Sequence, residues 1–416
     1  MKNIYFAVLL ITALACQKSE KICRIEGTIV DRDSKAIILK KATDISESVD
    51  TVRIPIIDQS FSYDLNFDEQ IVYKLKFEDE VRSWREIEFI PVEGTIQMTL
   101  YPMNRYREND ITGSKLSAEI LAFRHGYNDF RENEIFPLYD SIQVLKKNDM
   151  YFSDSMKIFL AKYGIQDEWD HRGDRDLHNS LTELRESGLA YSDLVNSVQK
   201  NISNQELRYY RNSFDLMEER EDIVSYYILI DRLLKFDQQM DDFEMLKNLQ
   251  SNLSQKFEDH PYNRLSTNLL WSIDNIRIGG NYYDFTLPDL NQQDHTLSKE
   301  IENKYAILQI WAPWCGPCIR SARELVPIYK KYKDKGLTAI AVVGRYKNLE
   351  DAKEIIEKEN FPWLHLLDSE WNSDTWINYG LAKSGGSIFL IDNTGKIRAV
   401  YPGADEVDRI LSSALN

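Results

Sequence analysis

The fold is decided by residues 305–318, Tyr305-Ala-Ile-Leu-Gln-Ile-Trp-Ala-Pro-Trp-Cys-Gly-Pro-Cys318. Residues 305–311 form an apolar run, broken only by Gln309, with the length and composition of a buried strand. Two cysteines separated by two residues follow, where this strand gives way to a helix expected over 315–333. That placement puts the first sulfur at a helix N-terminus, where free backbone N–H groups and the positive end of the helix dipole favour thiolate over thiol. Cys315 is therefore expected to ionise more readily than a free cysteine and to act as the nucleophile. Cys318, one turn further on and more buried, is near enough to attack a mixed disulfide formed on Cys315. Gly316 permits the tight turn, and Pro317 stiffens it without wasting a helix N–H in the first turn.

Outward from this stretch, strands and helices alternate. The pattern predicts a strand over 337–343, a helix over 349–359, strands over 387–391 and 397–401 joined by Asp392-Asn-Thr-Gly395, and a last helix. Such alternation, closed by a hairpin, is an α/β layer fold. Residues Asp284-Phe-Thr-Leu-Pro-Asp-Leu290, the 305–318 stretch, Tyr329-Lys-Lys-Tyr-Lys-Asp-Lys-Gly336 and Phe389-Leu-Ile-Asp-Asn-Thr-Gly-Lys396 resemble the TlpA-like thiol–disulfide interchange family of the thioredoxin fold. The resemblance runs through the last third of the chain. It implies that Cys315 is the attacking thiol, Cys318 the resolving thiol and Trp314 part of a substrate-facing rim, and that the redox-active Cys315–Cys318 disulfide takes the place of a bound cofactor. A zinc half-site would need two further ligands, and no second Cys-x-x-Cys or histidine pair exists in the chain, so no metal is expected. Peroxiredoxins of the same superfold carry their reactive cysteine in a different local motif.

The chain departs from the family in three places. The family keeps a cis-proline facing the cysteines, just before the strand at 387–391; here Gly386 holds that place, and no proline lies between Pro362 and Pro402. A non-proline cis bond costs about 2.5–4 kcal/mol against roughly 0.5–1 before proline, so a trans bond is expected. Gly385 and Gly386 should then form a more mobile, less shielded floor opposite Cys315, weakening or redirecting substrate recognition. Gln309 stands six residues before Cys315, where thioredoxin has a buried acid. An amide takes no proton at neutral pH, so the base for Cys318 must be another group or water. Ser321 and Arg323 replace a family Glu and Pro; Arg323 either adds positive charge near the site or is an ordinary solvated arginine.

The chain's 416 residues suffice for two to three domains. Over 23–103 the rhythm has period two: Phe61, Tyr63, Leu65 and Phe67; Ile71, Tyr73, Leu75 and Phe77; Ile96, Met98 and Leu100. A small antiparallel β-sandwich is expected. This block resembles an uncharacterised β-domain found before thioredoxin domains in exported bacterial proteins. Residues 104–279 carry helical spacing instead, as in Ile223, Tyr226, Tyr227, Ile230 and Leu233, or Leu246, Leu249, Leu253 and Phe257, with Ser114 and Ser117 as cap candidates. The stretch 167–178 places two histidines among carboxylates, but interleaved Arg172 and Arg175 make it a self-neutralising loop with no ligand spacing. Residues 280–416 form the thioredoxin-like domain.

Fifty-one lysines and arginines against 67 acidic residues leave a net charge of −16, which repels phosphate backbones; nucleic acid is not an expected partner. Four cysteines are too few for a disulfide framework. Residues 1–15, Lys2 followed by an apolar run and Ala13-Leu-Ala15, have the parts of a signal peptide, and Cys16 directly after them resembles a lipoprotein attachment site. Without a lipid, Cys16 could close a short loop with Cys23. The expected chain is a signal at 1–15, a tether at 16–22 and a body held on the periplasmic side of the envelope. Its expected partners are envelope protein thiols and disulfides and a membrane thiol electron donor. The favoured reading is a reductant, because Cys-Gly-Pro-Cys is the sequence of a reducing thioredoxin. The alternative is a binding or assembly protein with weak redox activity, given Gly386.

Overall fold

The computed structural model describes residues 21–43, 51–80, 86–166, 175–236, 242–346, 348–369 and 374–415. The signal segment and Cys16 lie outside them, as does most of the stretch 167–178. The described residues divide into two compact units, one of 21–42 with 51–118, the other holding those from 119 to 415.

The first unit holds eight strands: β1 (Lys21–Ile29), β2 (Ala36–Lys41), β3 (Val52–Pro55), β4 (Ser60–Phe67), β5 (Tyr73–Phe77), β6 (Ile87–Phe89), β7 (Gly94–Leu100) and β8 (Asp110–Thr112). They form two four-stranded sheets, in the orders β4-β1-β7-β8 and β3-β2-β5-β6. Alternation sets the buried faces: Phe61, Leu65 and Phe67 of β4, Tyr73, Leu75 and Phe77 of β5, and Ile96, Met98 and Leu100 of β7 are all buried. One pairing corrects the antiparallel expectation. β1 and β7 run parallel, with Ile25 opposite Ile96, a pairing that the long connection through β2 to β6 permits. The unit also runs past the expected limit at residue 103, since β8 adds to β7 with Ile111 opposite Met98, and β1 begins inside the expected tether. Cys23 is fully buried on β1, and burial pushes its thiol up. At the end of the unit Ser114 caps the helix that follows, its Oγ accepting the Ser117 N–H at 3.2 Å. Ser117 is no cap; its hydroxyl donates to the Ile90 carbonyl at 3.1 Å.

Helices come next: α1 (Lys115–Phe130), α2 (Phe136–Lys147), α3 (Asp154–Tyr163), α4 (Arg175–Glu186), α5 (Asp193–Arg220), α6 (Ile223–Leu233), α7 (Phe243–Lys256) and α8 (Pro261–Asn275). The expected stripes are the buried faces of α6 and α7, with Phe257 half-buried just beyond α7. Then follow β9 (Thr286–Pro288), β10 (Asp294–Thr296), α9 (Leu297–Glu300), β11 (Tyr305–Trp311), α10 (Gly316–Tyr332), β12 (Leu337–Gly344), α11 (Leu349–Glu359), β13 (Leu364–Asp368), α12 (Asp374–Asn378), β14 (Gly386–Ile391), β15 (Ile397–Val400) and α13 (Ala404–Ala414). Five of these strands make one sheet in the order β13-β12-β11-β14-β15. β11 is central, parallel to β12 and antiparallel to β14. This is the thioredoxin arrangement expected for the C-terminal third. α8 is tied to α12 by Arg264, whose Nη2 lies 2.8 Å from Asp374, and by Asn268, whose Nδ2 donates to Asp374 at 2.6 Å.

Candidate active site

β11 is buried from Ala306 to Trp311 and delivers the chain to the end of the sheet, where α10 begins. Cys318, Ala322, Leu325, Ile328 and Tyr332 give α10 one apolar stripe and seat it on the sheet face that carries Ile307 and Trp311. The helix thereby fixes its own first turn. Cys315 is its N-cap, and its Sγ accepts the Cys318 N–H at 3.3 Å. The two sulfurs are joined in a disulfide, with Cα atoms 5.3 Å apart. Cys315 is half-buried, whereas Cys318 is only 8 % exposed. Pro317 is exposed and Gly316 half-buried in the same turn. Trp314 projects as a rim, 62 % exposed, and its Nε1 donates to the Arg345 carbonyl at 3.1 Å.

The floor opposite the disulfide is Gly385-Gly386; a side chain is excluded at Gly386 and would be crowded at Gly385. A Cβ on Gly385 would stand 3.2 Å from Cys315 Sγ, and one on Gly386 would stand 2.2 Å from the Ile310 carbonyl oxygen and 3.1 Å from Cys318 Sγ. Gly386 has φ of +147°, a conformation that side chains rarely adopt, and no peptide bond among the described residues is cis. In this structure the floor is hydrogen-bonded on both sides. The Gly385 carbonyl accepts from Ala312 N at 3.0 Å. Gly386 N donates to Ser384 Oγ at 3.1 Å, and that hydroxyl donates to the Gly386 carbonyl at 2.9 Å. The Gly385 carbonyl also lies 3.6 Å from Cys318 Sγ, ready to accept from a thiol once the disulfide is reduced.

Gln309 lies under α10, 2 % exposed, with Nε2 donating to the Cys318 carbonyl at 3.2 Å and Oε1 buried without a hydrogen-bond partner. It holds the helix start and has no proton to trade. Arg323 is settled as a surface residue, paired through Nε with Glu359 of α11 at 2.5 Å. Two polar groups that sequence reasoning passed over are buried in this domain. His365 of β13 stands in the same row of the sheet as Gln309, with Ala341 between them. Burial pulls the imidazole down to about 4, against a smaller opposing effect of the Phe361 backbone. Arg345 follows β12, and burial pulls its guanidinium down to about 10. A histidine between leucines and an arginine after a strand carry no sequence signal of their own. Among the described residues no group of three or more His, Cys, Asp or Glu is placed to hold a metal.

Residues 279–415 match the Redoxin family. The thiol-disulfide oxidoreductase ResA of Halalkalibacterium halodurans is 35 % identical over 127 residues, which span 30 % of this chain and 69 % of that protein. The chain belongs to the ResA-like thiol-disulfide oxidoreductases. ResA of Geobacillus kaustophilus is 28 % identical over 142 residues, 33 % of this chain and 78 % of its own. Among solved structures, the thioredoxin domain of a Bacteroides vulgatus thiol-disulfide oxidoreductase aligns at 26 % identity and a TM-score of 0.31, over 34 % of this chain and 99 % of that one. Within this oxidoreductase the matched region carries the paired cysteines. The β-strand unit and the helices before residue 279 lie outside the match.

Proposed function

We propose that this oxidoreductase is exported, works in the cell envelope and reduces disulfides of other proteins through Cys315 and Cys318. The observation that carries the reading is the asymmetry of the pair: one sulfur half-exposed at a helix N-terminus beside an exposed tryptophan, the other buried one turn on and bonded to it. In the reducing direction the Cys315 thiolate attacks one sulfur of a substrate disulfide, and the other leaves as a thiolate. The Cys318 thiolate then attacks Cys315 Sγ and expels the second substrate sulfur. Two electrons pass to the substrate, the described Cys315–Cys318 disulfide is the product, and each leaving thiolate takes a proton. Recharging needs a thiol donor, for which a membrane protein is proposed. Attachment through a lipid on Cys16, with the residues between it and β1 as tether, would keep the body at the membrane; among the described residues no helix is long and apolar enough to cross one. The two N-terminal sheets are proposed to close as a sandwich over their buried faces.

The second reading, a binding or assembly protein with weak turnover, draws on the neutral Gln309 and on Gly386. One experiment separates them. In the native envelope, Cys318→Ala should accumulate mixed disulfides on Cys315, and purified full chain should reduce a peptide disulfide in a manner abolished by Cys315→Ser. A chain that opens and closes its own disulfide yet reduces no peptide, and traps nothing, is the binding protein.

A further inference from the structure

The site faces its substrate with a floor that lacks the proline brace, yet the floor is held. Besides the Ser384 hydroxyl and the Ala312 N–H, one further side chain braces the segment that leads into it. Arg345 is 5 % exposed and reaches two main-chain carbonyls of the segment leading into the floor, Ser384 O at 2.7 Å through Nη1 and Ala382 O at 2.9 Å through Nη2. Its own carbonyl accepts the indole N–H of Trp314 on the rim. The guanidinium lies over the Trp376 ring, 4.3 Å from its centroid, and Trp376 can come this close only because residue 344 is glycine: a Cβ there would stand 2.6 Å from Trp376 Nε1. Arg345 holds φ of +54°, an unusual conformation for a long side chain. A buried cation in a strained backbone is not retained for packing alone, since taking it out of water is costly unless hydrogen bonds and opposite charge compensate. Asp368, buried at the end of β13, supplies charge of the opposite sign.

We propose that Arg345 is the positioning residue of this active site: a planar fork that joins rim and floor into one surface and takes over the bracing that proline gives the relatives, so that an incoming peptide meets Trp314 and Gly385 at fixed separation. Only a guanidinium fits, because it offers two donors in a rigid plane to two carbonyls, while an ammonium is a point charge on a flexible stem. This rests on the peptide-disulfide reading above, and the test keeps the two apart.

The full chain, as wild type, Arg345→Lys and Arg345→Met, is assayed on two substrates: a peptide disulfide, which must lie across rim and floor, and a small aromatic disulfide, which needs only the sulfur. Both variants are expected to raise KM for the peptide at least tenfold, while Arg345→Lys, which keeps the buried charge, changes the rate on the small disulfide less than twofold. Equal loss on both substrates makes Arg345 merely structural and overturns the proposal, as does an unchanged peptide KM. Should the methionine chain fail to fold, the lysine chain, which keeps the buried cation, decides alone. Wild-type inactivity toward both disulfides would instead overturn the reductase reading itself.

Discussion

Replacing Gln309 with glutamate tests how the proton leaves Cys318. The side chain keeps its shape, so at low pH the protonated acid donates to the Cys318 carbonyl as the amide does now. Ionisation removes that donor and leaves two oxygens as acceptors in a place where Oε1 already has no hydrogen-bond partner. Losing the bond and desolvating the charge together cost about 3–4 kcal/mol. At about 1.4 kcal/mol per pH unit, that raises the acid from its ordinary value of about 4.3 to about 7. The folded state then binds a proton that the unfolded state has lost, so stability must fall as pH rises between those two values. Gln309→Glu should match the wild type within about 1 kcal/mol at pH 4 and be weaker by about 3 kcal/mol at pH 8.

The same shift places a base of suitable strength beneath the resolving cysteine. Starting from a preformed mixed disulfide on Cys315, stopped-flow release of the second thiol should be faster than in the wild type by on the order of tenfold or more, rising with pH through the acid's titration; a positioned base contributes about 10²–10⁴-fold at best. Urea unfolding across the same pH range supplies the stability arm. A difference in stability that does not depend on pH, together with release rates that run parallel in both proteins, would refute the placement of Gln309 beneath the site.

Gly386→Pro should not restore an ordinary thioredoxin floor. A proline there adds a Cβ 2.2 Å from the Ile310 carbonyl oxygen, replaces a φ of +147° and removes the N–H donated to Ser384. A loss of at least about 3 kcal/mol is expected in urea unfolding, and a chain as stable as the wild type would contradict the geometry. His365→Leu should flatten the acid limb of stability. The imidazole, held near 4 in the folded chain, returns to about 6.5 on unfolding, so the unfolded state takes up the proton first and the wild type loses stability as pH falls through that window. Between pH 7.5 and 5 the loss amounts to about 2 kcal/mol. The leucine chain should lack it, and identical pH profiles would show that His365 is hydrated in solution.

The sequence carried the central strand and the helix after β12 almost to the residue, because both are local: 305–311 is nearly all apolar, and 349–359 has its own cap in Asn348. The redox pair was legible for the same reason, since a sulfur at a helix N-terminus follows from spacing alone. What escaped was non-local. β13 is short, and His365 interrupts its apolar run, so nothing marked it as a strand until β12 supplied the neighbour. The parallel β1–β7 pair unites strands that the whole of the first unit separates. Arg345 escaped because its acceptors are main-chain carbonyls 37 and 39 residues away, and carbonyls have no sequence identity.

The departures bear jointly on the direction of exchange. An amide at Gln309 removes the buried negative charge that thioredoxin keeps under its resolving cysteine, and Arg345 adds a buried cation behind the floor. Each change favours thiolate over disulfide, which stabilises the reduced pair and makes it the better oxidant; Asp368 opposes the second. A shift of 30 mV corresponds to about 1.4 kcal/mol, so a change in the charge balance behind the floor of that size moves the pair along the scale from thioredoxin toward disulfide-forming proteins. The reducing reading therefore depends on Asp368 neutralising Arg345. Were the guanidinium left unopposed, the same two sulfurs, in the same geometry, would be poised to accept electrons from their partners instead of supplying them.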